Sequence, residues 1–167
     1  MPEISLVMPI YNCRDLLKES VNAILAQTFS DFELILVDDG STDGSSRLCD
    51  ELAKKDSRIH IIHKKNGGAG SARNVGIQES IAPYITFPDA DDRLEPDFLY
   101  TMYYYIQKTN SDVVICGFIN ESSNINFKTV LPHRELRTLV EVHEYFASIF
   151  PDGFMGYVWN KLYKKNI

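Results

Sequence analysis

Short apolar runs alternate with runs of helical period through Phe118, and that alternation constrains the fold more than any other feature. Ile4 to Pro9 is short and apolar, and Arg14 to Ala26 then carries Leu17, Val21, Ile24 and Leu25 at helical spacing. Asn12 is the candidate N-cap of that helix, with Asp15 three residues later at its positive end. Phe32 to Val37 is a continuous apolar run, as expected of a strand covered on both faces. A second helix presents Leu48, Leu52 and Ala53 on one side; Arg58 to His63 reads as the third strand and Ala69 to Glu79 as the third helix. Tyr84 to Phe87 reads as a fourth strand. Pro96 falls at the first turn of a helix reaching about Thr109, with Phe98, Leu99, Met102 and Ile106 inward, and Asp112 to Phe118 as a fifth strand. Short connections between such elements imply an α/β fold, a mostly parallel central sheet flanked by helices.

The pattern weakens from Asn120. Glu121 to Asn126 reads as a polar loop or irregular hairpin, His143 to Phe150 as a short helix and Pro151-Asp152-Gly153 as a turn; Tyr157 to Tyr163 mixes aromatics with Lys161. A net charge of -6 argues against sequence-independent nucleic-acid binding, which needs a basic face. Cys13, Cys49 and Cys116 show no CxxC pairing, so they read as small buried apolar residues in a reducing compartment. No apolar run approaches the ~20 residues that cross a bilayer, and the expectation is a cytoplasmic protein.

Ligands of such sheets sit at the carboxyl ends of the strands, and four ends here carry unusual residues. The first is Pro9-Ile10-Tyr11-Asn12, the second Val37-Asp38-Asp39-Gly40-Ser41-Thr42-Asp43. The third runs from Asn66-Gly67-Gly68 to Arg73-Asn74, and the fourth is Pro88-Asp89-Ala90-Asp91-Asp92. Adjacent carboxylates repel one another, and their company is explained if a hard cation bridges them to diphosphate oxygens; taken alone, each pair reads first as a solvated turn. Asp38 and Asp39 read either as turn formers or as acceptors for a base imide or a ribose hydroxyl. The glycine loop offers backbone N–H groups to a phosphate, yet it lacks both the P-loop Gly-Lys-Ser/Thr and the third glycine of a dinucleotide fingerprint. Arg73 reads as a phosphate contact or as a surface charge. Four such loops on one sheet converge on one crevice, which favours the ligand readings jointly.

Ser5-Leu6-Val7-Met8-Pro9-Ile10-Tyr11-Asn12, Gln27-Thr28-Phe29 and Leu36-Val37-Asp38-Asp39-Gly40-Ser41-Thr42-Asp43-Gly44 closely resemble family 2 glycosyltransferases. So do Asn66-Gly67-Gly68, Ala72-Arg73-Asn74-Val75-Gly76, Asp89-Ala90-Asp91-Asp92 and, further on, Trp159-Asn160-Lys161-Leu162-Tyr163. The resemblance implies the GT-A fold, with residues 1–118 as the nucleotide-sugar-binding core and 119–167 as the start of an acceptor-side region. It implies an inverting transfer of a sugar from a nucleotide-diphosphate donor to an acceptor hydroxyl. Pro9, Tyr11 and Asn12 would lie at the nucleotide, Asp39 at its base or ribose, and Arg73 nearby. Asp89 would sit by ribose and metal, and Asp91 would bind Mg²⁺ or Mn²⁺.

By the same resemblance the donor is a UDP-sugar and the acceptor a glycan or lipid-linked glycan of bacterial polysaccharide biosynthesis, at the inner face of the membrane. The family's general base is an Asp downstream of the Trp-Asn-Lys-Leu-Tyr segment. The sequence stops at Ile167, so the expectation is donor binding with little or no transfer, and the catalytic residue is left unassigned. Asp92, Asp97 and Asp152 are conceivable substitutes.

Tyr100, Tyr103, Tyr104 and Tyr105 read as packing and surface cover. Trp159 reads as a core anchor or an acceptor platform, and Lys161, Lys164 and Lys165 as a solvated terminus or a membrane-facing cluster. His60, His63, His133 and His143 lack metal-ligand spacing. A sugar-nucleotide pyrophosphorylase would need a Gly- and Arg-containing loop after the first strand. A phospho-receiver domain would need its acidic pair there and a Lys after the fifth strand. Neither pattern is present.

Overall fold

A computed structural model describes residues 1–121, 126–149 and 158–165. In chain order the elements are β1 (Ile4–Ile10), α1 (Arg14–Leu25), β2 (Phe32–Asp38), α2 (Ser45–Ala53), β3 (Ile59–His63), α3 (Ala69–Glu79) and β4 (Tyr84–Thr86). There follow α4 (Phe98–Thr109), β5 (Val113–Ile115), β6 (Phe118–Glu121), β7 (Asn126–Thr129), α5 (Leu139–Ile149) and β8 (Lys161–Lys164).

Six strands form one sheet in the order β3-β2-β1-β4-β8-β5, and β6 and β7 form a separate hairpin. Strands β1 to β4 run parallel. Side chains alternate across β1 and β2, as the period of two requires. Leu6, Met8, Ile10, Leu34 and Leu36 enter a core closed by α1, α2 and α4, while Val7, Ile35 and Val37 enter a second core with Ala72 of α3. Both faces are therefore covered, which is why these strands read as unbroken apolar runs. Burial pushes the Cys49 thiol to about 12 and the Cys116 thiol to about 11, in keeping with inert core cysteines.

The structure departs from the sequence reading in five places. Asn12 is not the N-cap of α1: Cys13 occupies that position, and Asn12 takes a left-handed backbone with φ 50°, a conformation Asn tolerates better than most residues. Pro96 lies outside α4, which starts at Phe98 after the N-cap Asp97. The span Asp112 to Phe118 is two strands, β5 and the start of β6, separated at Cys116-Gly117. A Cβ on Gly117 would collide with the Thr129 carbonyl oxygen, so the chain passes too close to β7 there for a side chain.

The fourth departure is β8. It is antiparallel to both neighbours, pairing Ile85 with Tyr163 and Val114 with Leu162. Lys161 accordingly is buried, 4% exposed, and donates to Asn160 Oδ1 at 2.7 Å; it lies on neither a solvated terminus nor a membrane-facing surface. Fifth, α5 begins at Leu139, before His143. Phe150, the turn at 151–153 and Tyr157 lie outside the described residues.

Candidate active site

The strand order places a topological switch beside β1. The chain leaves β1 toward β2 through α1 on one face, while β4 on its other side is reached through α3 on the opposite face. Loops diverge at such a point and leave a crevice above the carboxyl ends of the strands. A cavity of about 530 Å³ lies there, and Pro9, Tyr11, Asp39, Arg73, Asp89 and Asp91 all line it. Ile10, Cys13, Leu16, Asn66, Gly68, Ala69 and Ala90 complete it. Of the residues expected at the nucleotide and metal, only Asn12 is absent from this lining.

Asn12 instead ties two loops together. Its side-chain oxygen accepts from the Thr42 backbone N–H at 2.8 Å, and its own N–H donates to Ser41 Oγ at 3.2 Å. Asp43 continues the seam. It accepts from the N–H of Arg14, the first residue of α1, at 3.0 Å and from the N–H of Ser45, the first residue of α2, at 2.9 Å. One carboxylate thus serves the free N–H groups of two helix starts, and hydrogen bonds led by the Ser45 hydroxyl bring its pKa to about 2.

Asp39 is 2% exposed at the end of β2. Its carboxylate accepts from the N–H of Gly68 at 2.7 Å, from that of Gly67 at 2.9 Å, and from the Lys64 ammonium. Burial opposes its ionisation, but the bonds from Lys64, Gly68 and Gly67 outweigh it and hold the carboxyl below the usual range. Gly68, with φ +86°, supplies the positive φ that turns both N–H groups of this pair inward before α3 begins. Asp38 faces away: it accepts from the Ser41 N–H at 3.0 Å and pairs with His63 at 3.0 Å, and His63 reaches Asp50 of α2 at 3.1 Å. These two carboxylates raise the His63 pKa.

The acidic loop after β4 is fixed by Ala90, whose carbonyl accepts from Ser20 Oγ of α1 at 2.5 Å. Gln27 secures the far end, donating to the Glu95 carbonyl at 2.7 Å and accepting from the Leu99 N–H at 3.0 Å. With Ala90 buried between them, Asp89 and Asp91 both border the cavity. Asp89 pairs with Arg73 Nη2, whereas Nε of Arg73 is buried with no partner among the described residues. Asp91 is exposed and its carboxylate receives no hydrogen bond among the described residues. Burial pushes Asp92 to about 6, with Asp89 and Asp91 adding to the rise.

A hard cation in such sites takes one or two carboxylates, with phosphate oxygens and water completing the shell. Asp91 and Asp89 fit that donor set. No group of three His, Cys, Asp or Glu among the described residues is arranged to hold a metal by protein ligands alone.

Sequence reasoning missed Lys64, Cys13 and Leu16. Lys64 reaches Asp39 only because β3 lies beside β2, and nothing local distinguishes a cavity-lining Cys or Leu from a core one. Trp159 is half-buried, its ring edge-on to Phe118 at 5.1 Å between centroids.

The sheet order and the acidic crevice at its carboxyl edge define an α/β protein of the GT-A type. The family model for glycosyl transferase family 2 matches residues 5–167, and the chain belongs to that family. It is 34% identical over 171 residues to the uncharacterized glycosyltransferase EpsJ of Bacillus subtilis, covering 100% of this chain and 49% of that protein. To glycosyltransferase GlyG of Streptococcus pneumoniae it is 44% identical over 126 residues, covering 74% of this chain and 42% of that one. The chain therefore spans about half the length of these relatives.

The S. aureus TarS 1–349 structure in complex with UDP-GlcNAc superposes with a TM-score of 0.74 at 23% identity, over 99% of this chain and 46% of that one. The mannosyltransferase PcManGT of Pyrobaculum calidifontis, in complex with GDP-Man and Mn²⁺, gives 0.64 at 21% identity, over 69% and 35%. Among the described residues no helix is long and apolar enough to cross a membrane.

Proposed function

We propose that this chain carries the donor half of an inverting, metal-dependent glycosyltransferase that moves a sugar from a nucleotide diphosphate to an acceptor hydroxyl in polysaccharide biosynthesis. One observation carries the reading: Pro9 and Tyr11 after β1, Asp39 after β2, Asp89 and Asp91 after β4, and Arg73 of α3 border one cavity of about 530 Å³. Residues 1–118 hold the donor in this reading, and 119–167 begin the acceptor side while returning β8 to the sheet.

Pro9 and Tyr11 offer an apolar wall to the base. Asp39 fixes the Gly67-Gly68 turn, and Gly68 also borders the cavity. Arg73 presents a guanidinium to the diphosphate, a pairing its planar fork favours. Asp91, with Asp89, would hold Mg²⁺ or Mn²⁺, which when bound offsets the charge that develops on the departing diphosphate. Inversion also requires a base on the opposite face of the sugar. Asp97 is exposed at the N-cap of α4 and Asp92 is half-buried beside Asp89; neither is assigned that role, and Asp152 lies outside the described residues.

The solved relatives hold UDP-GlcNAc and GDP-Man, so the fold accommodates either nucleotide. The preference for uridine rests on the resemblance around Asp39. A glycan or lipid-linked acceptor, met at the inner face of a membrane, belongs to the same proposal. Calorimetric titration of UDP and GDP, with Mn²⁺ and with EDTA, tests the reading together with Asp91→Ala. Metal-dependent UDP binding that the substitution abolishes supports it; a folded protein that binds neither nucleotide overturns it, and tighter binding of GDP overturns the uridine preference.

A further inference from the structure

Asp89 has two claimants. It borders the cavity beside Asp91, where the donor-site reading gives it a share of a divalent cation, yet its carboxylate is already paired with Arg73. Asp91, its companion, is exposed and receives no hydrogen bond among the described residues. The arrangement is thus asymmetric: one carboxylate is open to a cation, and the other is held by a fixed positive charge. Arg73 occupies Oδ1 alone, but a guanidinium and a divalent ion on one carboxylate repel each other at short range in a partly dry site, so each weakens the other's hold on Asp89.

Arg73 is itself incompletely used. The pair with Asp89 is made through Nη2, while Nε is buried and unpartnered among the described residues. A guanidinium fork satisfied at one nitrogen prefers an anion that accepts from two, as a diphosphate does. The backbone of Arg73 is fixed there, because α3 lies on the sheet through Ala72, which is fully buried.

From this we propose that Arg73 is a positioning residue that keeps Asp89 from the cation until a donor diphosphate draws the guanidinium away. The consequence is positive coupling: each of the nucleotide and the cation raises the other's affinity, beyond the contacts they make with one another. The proposal rests on the donor-site reading for the identity of the diphosphate, while the competition at Asp89 stands on the ion pair alone.

The test is Mn²⁺ binding to the nucleotide-free protein, followed by the electron paramagnetic resonance signal of free Mn²⁺. Wild type, Arg73→Met, Asp89→Asn and the double variant are compared, with circular dichroism as a fold check. Arg73→Met is expected to raise Mn²⁺ affinity about ten-fold, the size of one charge-assisted hydrogen bond released. In the Asp89→Asn background the same substitution is expected to give no gain. No gain from Arg73→Met in the wild-type background overturns the proposal. So does an equal gain in both backgrounds, because a general field effect read through Asp91 would produce that result.

UDP titrated into the same proteins separates the two readings. If neither UDP nor GDP binds the wild type, the donor site fails whatever the Mn²⁺ cycle shows. If UDP binds but adds no Mn²⁺ affinity beyond that of free Mn–UDP, the coupling fails alone.

Discussion

Replacing Gly76 with Ala should destabilise the protein and loosen its donor site together. Gly76 is on α3, where the helix crosses β1. A Cβ added there would run into the Val7 side chain, with Cγ2 at 2.9 Å and Cβ at 3.1 Å and Cγ1 closer still. Val7 is 0% exposed in the middle of the sheet, and a β-branched residue has one comfortable rotamer and little room to turn. The helix must therefore move. Overpacking of this kind costs up to about 3 kcal/mol, and removing a helix-interior glycine returns about 1 kcal/mol, leaving a loss of about 2 kcal/mol.

For a domain of this size that lowers Tm by about 4–8 °C. Arg73 is one turn back on the same helix, so the displacement should also weaken UDP binding. Gly70→Ala is the control: no atom lies within 4 Å of its added Cβ, and it should raise Tm slightly through the unfolded chain. Thermal melts and UDP calorimetry on both variants read the result. If Gly76→Ala melts at or above the wild type, the packing of α3 on β1 is not as described.

Three further outcomes are expected. Asp43, at about 2, has a folded pKa below its unfolded value of 3.8, so its stabilisation is present above that value and lost as pH falls toward 2; Asp43→Asn should lower Tm at neutral pH and flatten the acid limb of a melting series. His63 has a raised folded pKa, so its stabilisation is full below its unfolded pKa of 6.5 and disappears as pH rises through the folded value. His63→Gln should remove that loss, measured as Tm on either side of neutrality. Asp39→Ala leaves the Gly67 and Gly68 N–H groups and Lys64 without their acceptor, whereas Asp39→Asn keeps one oxygen. UDP affinity and Tm should both fall further for Ala than for Asn, and equal losses would contradict the latch.

The elements up to α4 were legible because each is long enough to show its period and each is covered in a way its composition reveals. Boundaries failed where the deciding partner is remote. The start of α1 draws its cap from Asp43 in the next loop, a partner that the local sequence, with Asn12 as its nearest capping residue type, does not reveal. Strand β8 is Lys-Leu-Tyr-Lys, too short and too charged to read as a buried strand until β4 and β5 are seen on either side of it. The start of α5 has a local signal: the Thr138 hydroxyl accepts from the Glu141 N–H at 3.2 Å, and Glu141 accepts from the Thr138 N–H at 2.9 Å, a capping box written in the sequence as Thr-x-x-Glu. At the site, the strand-end loops point to the region, and six side chains that the family resemblance implies border one cavity. What each carboxylate touches was not legible, since Lys64 and Arg73 reach Asp39 and Asp89 from other strands and helices.

A crystal structure of this chain grown with UDP and Mn²⁺ tests the central claim most directly. Uracil is expected between Tyr11 and the glycine turn, the diphosphate at Arg73 and Mn²⁺ on Asp91. Nucleotide bound away from this cavity, or Mn²⁺ bound without touching Asp91 or Asp89, would contradict the claim.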